Sequence, residues 1–586
     1  VLDPRVYRAG LIPALLALVV AAFSLREPPR ALTAQLAPDS FSGTRALAGL
    51  RGLVKDVPQR RPGSDGDTAL AHVVQADLRG SGFTVRETKK EAPTVDGLQE
   101  LTTVVGTRAG RSNRRIVVVA HRDSLYRNAT ADLSATATLI ELAHVFKGRV
   151  LHKTLVLAST SGGSGGAGGA DALADALGSQ PVDAVIVLGD LAGRTVRRPF
   201  VVPWSTAGPI APLQLRKTLE AAIKTETGLR PGSAGVAMQF ARIAFPITTG
   251  EQGPLLAGGL PAVLVQVSGE KGPGGAQALN EDRFGFMGRA VLRAITALDA
   301  RTGAAPKPSR EIEVARKVLP SWAMQLLVLG LMLPVLLVAV DGFARASRRR
   351  HEVGMWLAWV LAGAAPFALA AGVAVVVGLL GIGWRPPVTP VPPGARAFDG
   401  AAAAQLGLVP LVALLGWLGL RPLLIGLAGV RGDPGSPGAA AAAIVVLAAT
   451  LVGVWLRNPF TAALLLPVAH AGVVVAAPEI RLRRGAAIGL LAASLLPVLA
   501  AWAWLGSALG AGLLDLPWLG LQLVEGGHVG ALALLAGSLL AGVLGSLLAI
   551  VRRQPGPDDL PEPVTRGPRS YAGPGSLGGT ESALRR

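Results

Sequence analysis

At 586 residues the chain is too long for one hydrophobic core and calls for several domains. Half of its residues are hydrophobic and only 16% are charged, a composition that excludes a fully soluble protein and places part of the chain in lipid. The net charge of +19 comes mostly from arginines beside apolar stretches, with no basic run interleaved with aromatics, so it reads as membrane-flanking charge and not as a nucleic-acid surface. The absence of cysteine excludes disulfides, thiol catalysis and thiolate-ligated metals.

Residues 9–25 form an apolar run preceded by Arg5 and Arg8. Its length suits a transmembrane anchor and also a signal-peptide core with a cleavage region near Ala37; the anchor is the favoured reading. In residues 26–317 charges return, and short apolar runs alternate with amphipathic stretches. Residues 117–120, 154–158, 184–188 and 262–267 read as buried strands; 133–146, 170–177, 213–225 and 283–298 have helical spacing. That alternation predicts an α/β domain with a mostly parallel central sheet flanked by helices.

From Leu319 the chain turns lipid-like, with spans read at about 319–340, 354–384, 401–420, 438–456, 461–477, 486–506 and 528–550, an all-α multi-span bundle. Arginines cluster at Arg345 and Arg348–Arg350, at Arg421 and Arg431, at Arg481, Arg483 and Arg484, and at Arg552 and Arg553. An N-terminus inside the cell puts all of them in the cytoplasm, with 26–317 and the Pro-rich 385–400 loop outside. The predicted organisation is thus an anchor (1–25), an extracytoplasmic domain (26–317), a seven-span bundle (318–551) and a disordered cytoplasmic tail (552–586).

Four stretches within 26–317 carry a family resemblance: RRPGSDG at 60–66 with Gly82-Phe83 after a helix, IVVVAHRDS at 116–124, LIELA at 139–143 and AGGLPA at 257–262. In order and spacing they resemble the M28 zinc aminopeptidases, including members with several spans after the peptidase domain. The resemblance implies a site of two zinc ions held by imidazole and carboxylate ligands, with a further carboxylate taking a proton from the metal-bound water. His121 matches the first ligand position, Asp123 the carboxylate expected to orient it, and Asp190 the later aspartate. Ungapped alignment puts Ala131 where the bridging aspartate belongs, with Asp132 one residue late. The glutamate pair that should follow strand 154–158 is replaced within Ser161, Gly162, Gly163 and Ser164; no glutamate lies between Glu141 and Glu220, and no histidine between His152 and the bundle. Glu251, Gln252 and Glu270 fall on the substrate side.

These departures make His121, Asp132 and Asp190 a vestigial metal set, with no bound cofactor expected. His121 and Asp190 are then polar strand-end residues that satisfy one another and nearby backbone. The resulting reading is a membrane protein whose peptidase-like domain binds a peptide or protein partner without cleaving it. Two others stay open: a working zinc metallopeptidase recruiting Asp132, Glu251 or Glu270, and a transporter or assembly factor regulated by the domain. The glycine-rich 162–169 loop also satisfies G-x-G-x-x-G, which raises an anion or nucleotide site. Asn128 begins a glycosylation sequon. His470 lies within a span, where packing against neighbouring helices is the expected role. Arg457-Asn458-Pro459 reads as a tight turn between spans.

Overall fold

The computed structural model describes residues 4–37, 40–194, 198–270, 272, 278–382, 386–391, 398–477, 480 and 482–553. The expected disordered tail from residue 554 on, Arg481, and residues 385 and 392–397 of the 385–400 loop lie outside them.

Seven strands form one sheet: β1 (Thr84–Thr94), β2 (Gly97–Arg108), β3 (Ser112–His121), β4 (Lys153–Thr160), β5 (Val182–Leu188), β6 (Phe200–Val202) and β7 (Ala262–Gln266), in the order β1-β2-β4-β3-β5-β7-β6. The four strands expected from the apolar runs are its centre, β4-β3-β5-β7, and these pair in parallel. The pairings β1/β2, β2/β4 and β6/β7 are antiparallel, so the sheet is mixed where a mostly parallel one was expected. The reason is visible in β1, whose residues 84–91 are mainly exposed and charged: an edge strand buried on one side at most carries no apolar run. Every residue of β4 and of β7 is buried, as strands covered on both faces must be.

The covering helices are α2 (Gly43–Asp56), α3 (Asp65–Gly80), α4 (Ser134–Phe146), α5 (Gly168–Leu177), α6 (Leu213–Thr227), α7 (Val236–Ala244), α8 (Gln252–Ala257) and α9 (Glu281–Asp299), after a first helix α1 (Pro4–Phe23). Ser64 caps α3 and Asn280 caps α9, each accepting a bond from a backbone N–H of the first turn. Glu141 on buried α4 receives both Arg45 Nε (2.7 Å) and Arg45 Nη2 (2.6 Å), tying α2 to the sheet layer.

A hairpin, β8 (Ile312–Val314) and β9 (Lys317–Leu319), leads into α10 (Ser321–Arg348). Then come α11 (Val353–Leu380), α12 (Gly400–Leu415) running through a π turn into α13 (Arg421–Leu427), α14 (Pro437–Arg457), α15 (Pro459–Ala476), α16 (Arg484–Ser494), α17 (Leu496–Leu509), α18 (Leu516–Glu525) and α19 (Ala531–Arg553). Among the described residues eight helical segments, α1 included, are long and apolar enough to cross a membrane, in agreement with the expected spans. Helix α1 packs along α10 through small residues: a Cβ at Gly330 would lie 2.7 Å from Ala17 Cβ, and one at Gly10 2.6 Å from Pro334 Cα. Tyr7 on α1 bonds His470 Nδ1 (2.8 Å), and His470 Nε2 lies 3.1 Å from the Leu331 carbonyl, so the intramembrane histidine is held by its neighbours.

This packing generates a prediction. Gly330→Val overfills the α1–α10 contact, and overpacking of this kind costs about 1–3 kcal/mol. The full-length variant should unfold several degrees below the parent in a thermal scan; an unchanged midpoint would show that α1 does not rest on α10.

Candidate functional site

A cavity of about 90 Å³ opens at the carboxyl ends of the parallel strands, lined among others by His121, Tyr126, Asp132, Gly163, Asp190, Glu251 and Glu270. Ligands in open α/β sheets sit at this end because the loops there splay apart. The end of β3 supplies three consecutive side chains, His121, Arg122 and Asp123, and strand alternation sends the middle one the other way. Arg122, fully buried, pairs with Asp67 (Nε to Oδ1 2.9 Å) and donates to the carbonyls of Thr102 (2.7 Å) and Ser159 (3.1 Å). This pair locks α3 against β2 and β4 beneath the pocket. Burial pushes the Asp67 carboxyl up to about 6 even with the Arg122 charge pulling it down.

His121 Nδ1 lies 3.3 Å from Glu251 Oε2, and Thr160 Oγ1 donates to Glu251 Oε1 at 2.6 Å. Thr160 ends β4, the strand after which the family places its glutamate pair. A carboxylate therefore does stand there, delivered by the turn before α8 and not by the loop after β4. Burial on its own would lower the His121 pKa. The bond to Glu251, its charge, and the charges of Asp123 and Asp132 outweigh burial and raise it to about 9. The imidazole is an imidazolium at neutral pH.

Asp123 was expected to orient His121. Instead its oxygens accept the N–H groups of Gly163 (3.0 Å) and Ser164 (3.0 Å) and the Ser164 hydroxyl. The physical reason is the loop itself, which folds over His121 and turns its N–H groups toward the nearest carboxylate. A Cβ at position 163 would sit 2.3 Å from His121 Cβ and 2.4 Å from Cγ, so only glycine fits. The same bonds take up five of the loop's N–H groups and so weaken the anion-site reading. Gly163 and Ser164 donate to Asp123, Gly165 and Ala167 to the Gly162 carbonyl, and Gly169 to the Ser161 carbonyl, leaving those N–H groups engaged.

Asp132 lines the cavity, accepts the Ser124 hydroxyl, and is raised to about 6 by burial against the pull of that bond, His121 and the neighbouring Arg60. Asp190 Oδ1 accepts Ala192 N (2.9 Å) and Gly193 N (2.7 Å), so the carboxylate caps its own turn and does not pair with His121 as expected. Burial raises its pKa, opposed by those N–H bonds. Glu270 lines the cavity yet is consumed by a buried ion pair with Arg242 and a bond from Thr248 Oγ1 (2.9 Å). Gln252, expected on the substrate side, points into the core and donates to Thr248 Oγ1 (2.8 Å) and the Trp204 carbonyl (3.2 Å). Sequence reasoning missed Thr160, Arg122 and Asp67; the only signal for the last two was a charged pair flanking apolar segments.

Among the described residues no three of His, Cys, Asp or Glu converge in a metal-holding group. The imidazole at this site lies 3.3 Å from Glu251 through Nδ1.

Comparison with known proteins follows the same outline. The sequence model of Peptidase family M28 matches residues 103–231, a segment that contains His121, Asp132 and Asp190 and ends before Glu251. The resemblance carried by the motifs thus holds over that segment. Similar solved structures include Fimbriiglobus ruber glutaminyl cyclase (16% identity, 46% of this chain and 99% of that chain, TM-score 0.35). BSAP, a zinc aminopeptidase from Bacillus subtilis, is 10% identical over 44% of this chain and 94% of that one (TM-score 0.36). Acidobacteriales bacterium glutaminyl cyclase is 15% identical over 47% and 100% (TM-score 0.37). No curated protein matches the chain.

The His121–Glu251 pair has a pH signature. A folded pKa of about 9 against an ordinary 6.5 gives stability that is fully present below about pH 6.5 and lost as pH rises through about 9. Its size is on the order of 3 kcal/mol. NMR titration of His121 should give a midpoint well above 7 in the parent and a fall of at least a unit in Glu251→Gln. A midpoint near 6.5 in both would refute the pairing.

Proposed function

We propose that this chain is a multi-span membrane protein whose M28-like domain binds a peptide or protein partner at the His121 pocket without cleaving it. One observation carries the reading: Glu251 bridges His121 and Thr160, filling as an ion-pair partner the space that the family gives to a metal and its base. Glu251 is engaged by His121 and Thr160, and loss of general-base catalysis alone is worth roughly 10²–10⁴ in rate. Loss of Lewis-acid activation and of a metal-bound hydroxide compounds it. The pocket retains what recognition needs: a concave site, buried carboxylates and an exposed aromatic, Tyr126, at its mouth. The bilayer is the other partner, and the arginine distribution supports a domain outside the cell with the tail in the cytoplasm.

A second reading is favoured by the same glutamate. Glu251 stands at the end of β4, near where a hydrolytic base belongs, so a metallopeptidase with a relocated base is the rival. The purified full-length protein, assayed on aminoacyl substrates with added zinc or cobalt, separates the two. Turnover should stay at background, and chelation should leave the melting temperature unchanged. Metal-dependent turnover abolished by His121→Ala or Asp190→Ala would establish the rival. Sidedness is checked separately on intact cells: a membrane-impermeant maleimide should label Ser179→Cys and spare Ser570→Cys, and labelling of the tail alone would invert the scheme.

A further inference from the structure

The segment that delivers Glu251 also rests on the membrane bundle. Helix α7 ends against α15: Asn458 Nδ2 donates to the Ile243 carbonyl (2.7 Å), Thr461 Oγ1 to that of Ala244 (2.7 Å), and Phe240 meets Phe460 edge-on with centroids 5.1 Å apart. Phe245 then meets Trp502 of α17, and Ile247 enters a closed apolar cluster with Leu505 and Leu509 of α17 and Leu519 and Leu523 of α18. Four residues later comes Glu251, at most about 14 Å of extended chain away.

Between Ile247 and Glu251 the chain is a braced strap and not a slack loop. Arg242 Nη1 holds the Ile247 carbonyl (2.8 Å) and its other arm pairs with Glu270; Thr248 bonds Glu270 and Gln252; Thr249 Oγ1 reaches the Glu270 carbonyl (3.3 Å). Arg242, Thr248, Glu251 and Gln252 are all buried. Packed, hydrogen-bonded elements shift between discrete arrangements and do not deform gradually, so a displacement at one end is felt at the other. The glycine loop that carries Gly163 is also touched from the bundle side: Thr389, in the connection between α11 and α12, donates its N–H to the Gly166 carbonyl (3.0 Å), and Pro387 abuts Gly166.

We propose that segment 245–251 couples the pocket to the bundle: the placement of Glu251 and the seating of Ile247 on α17 and α18 form one two-state element, by which pocket occupancy is transmitted to the membrane. This goes beyond the binding reading and stands whether or not the pocket is catalytic. The charged groups of the strap, Arg242, Glu251 and Glu270, are paired within the domain, so the link to the bundle is apolar packing and the two neutral hydrogen bonds from Asn458 and Thr461.

Because the chain has no cysteine, Ile247→Cys provides a single thiol buried under the bundle. Its maleimide labelling rate is measured in the full-length protein in lipid nanodiscs, alone and combined with Glu251→Ala or with Thr160→Val, which removes only the donor to Glu251. Leu298→Cys, buried at the far end of the sheet, serves as the control in the same backgrounds. Coupling predicts labelling at position 247 at least five-fold faster in both backgrounds with the rate at 298 unchanged. Acceleration at both positions, which reports global loosening, or at neither, overturns the proposal. Metal-dependent turnover bears on the non-catalytic reading alone and leaves this measurement untouched.

Discussion

The backbone of Gly163 lies against the His121 ring with no room for a side chain, and most of the pocket follows from that contact. A loop that must hug an imidazole can hold neither of the long carboxylates that the family places after this strand. Its glycines supply the conformations needed, with Gly162 at φ 82° and Gly166 at φ 118°, regions costly for residues with a Cβ. Once the loop has closed, Asp123 is drawn to its N–H groups and leaves His121 without the expected orienting carboxylate. Glu251 fills that role from the other side. Loop composition, the reassignment of Asp123 and the arrival of Glu251 are therefore one packing solution.

The same solution disposes of negative charge. A family site brings several carboxylates together because dications compensate them. Here compensation is distributed: Glu251 has the His121 imidazolium, Glu270 has Arg242, and Asp190 has two backbone N–H groups. Asp132 shares its neighbourhood with Arg60, whose charge opposes the burial that raises its pKa to about 6. Each of these carboxylates has a local partner, while Asp190 Oδ2 stays buried without a hydrogen bond among the described residues.

The four central strands were legible because burial on both faces demands unbroken runs of Val, Ile and Leu, and such runs stand out. The β1–β2 hairpin was not read, although Asp96-Gly97 at its turn was a usable signal, because the lysines and glutamates of β1 mask the alternation. At the site, what was legible was local. His121, Asp132 and Asp190 sit at strand ends or in the turns that follow, and the sequence places them by spacing. Glu251 is 130 residues from His121 in the chain, and its partner depends on how α7 and α8 dock, which no local pattern encodes. The membrane helices were the most legible part, since hydropathy over some 20 residues is a one-dimensional property. Their contacts with the α/β domain are not: Asn458 reads as a turn residue, and it is one, capping α15 through Phe460 N, yet its amide also holds the end of α7.

That double role bears on how the α/β domain is oriented. The domain is entered from α1 and left toward α10, and its two ends are stitched together where Arg26 and Val318 exchange backbone bonds of 3.1 and 2.8 Å. A two-stranded neck of this kind fixes a position but leaves the domain free to swing. The seat of α7 and Ile247 on α15, α17 and α18 adds a second contact, and the Thr389–Gly166 bond a third. Three separated contacts remove the swing. The second leads along the chain to Glu251 and the third meets the glycine loop that carries Gly163, both of which line the His121 pocket. The seating of the domain on the bundle is thus tied to the chain segments that lead to Glu251 and to the glycine loop.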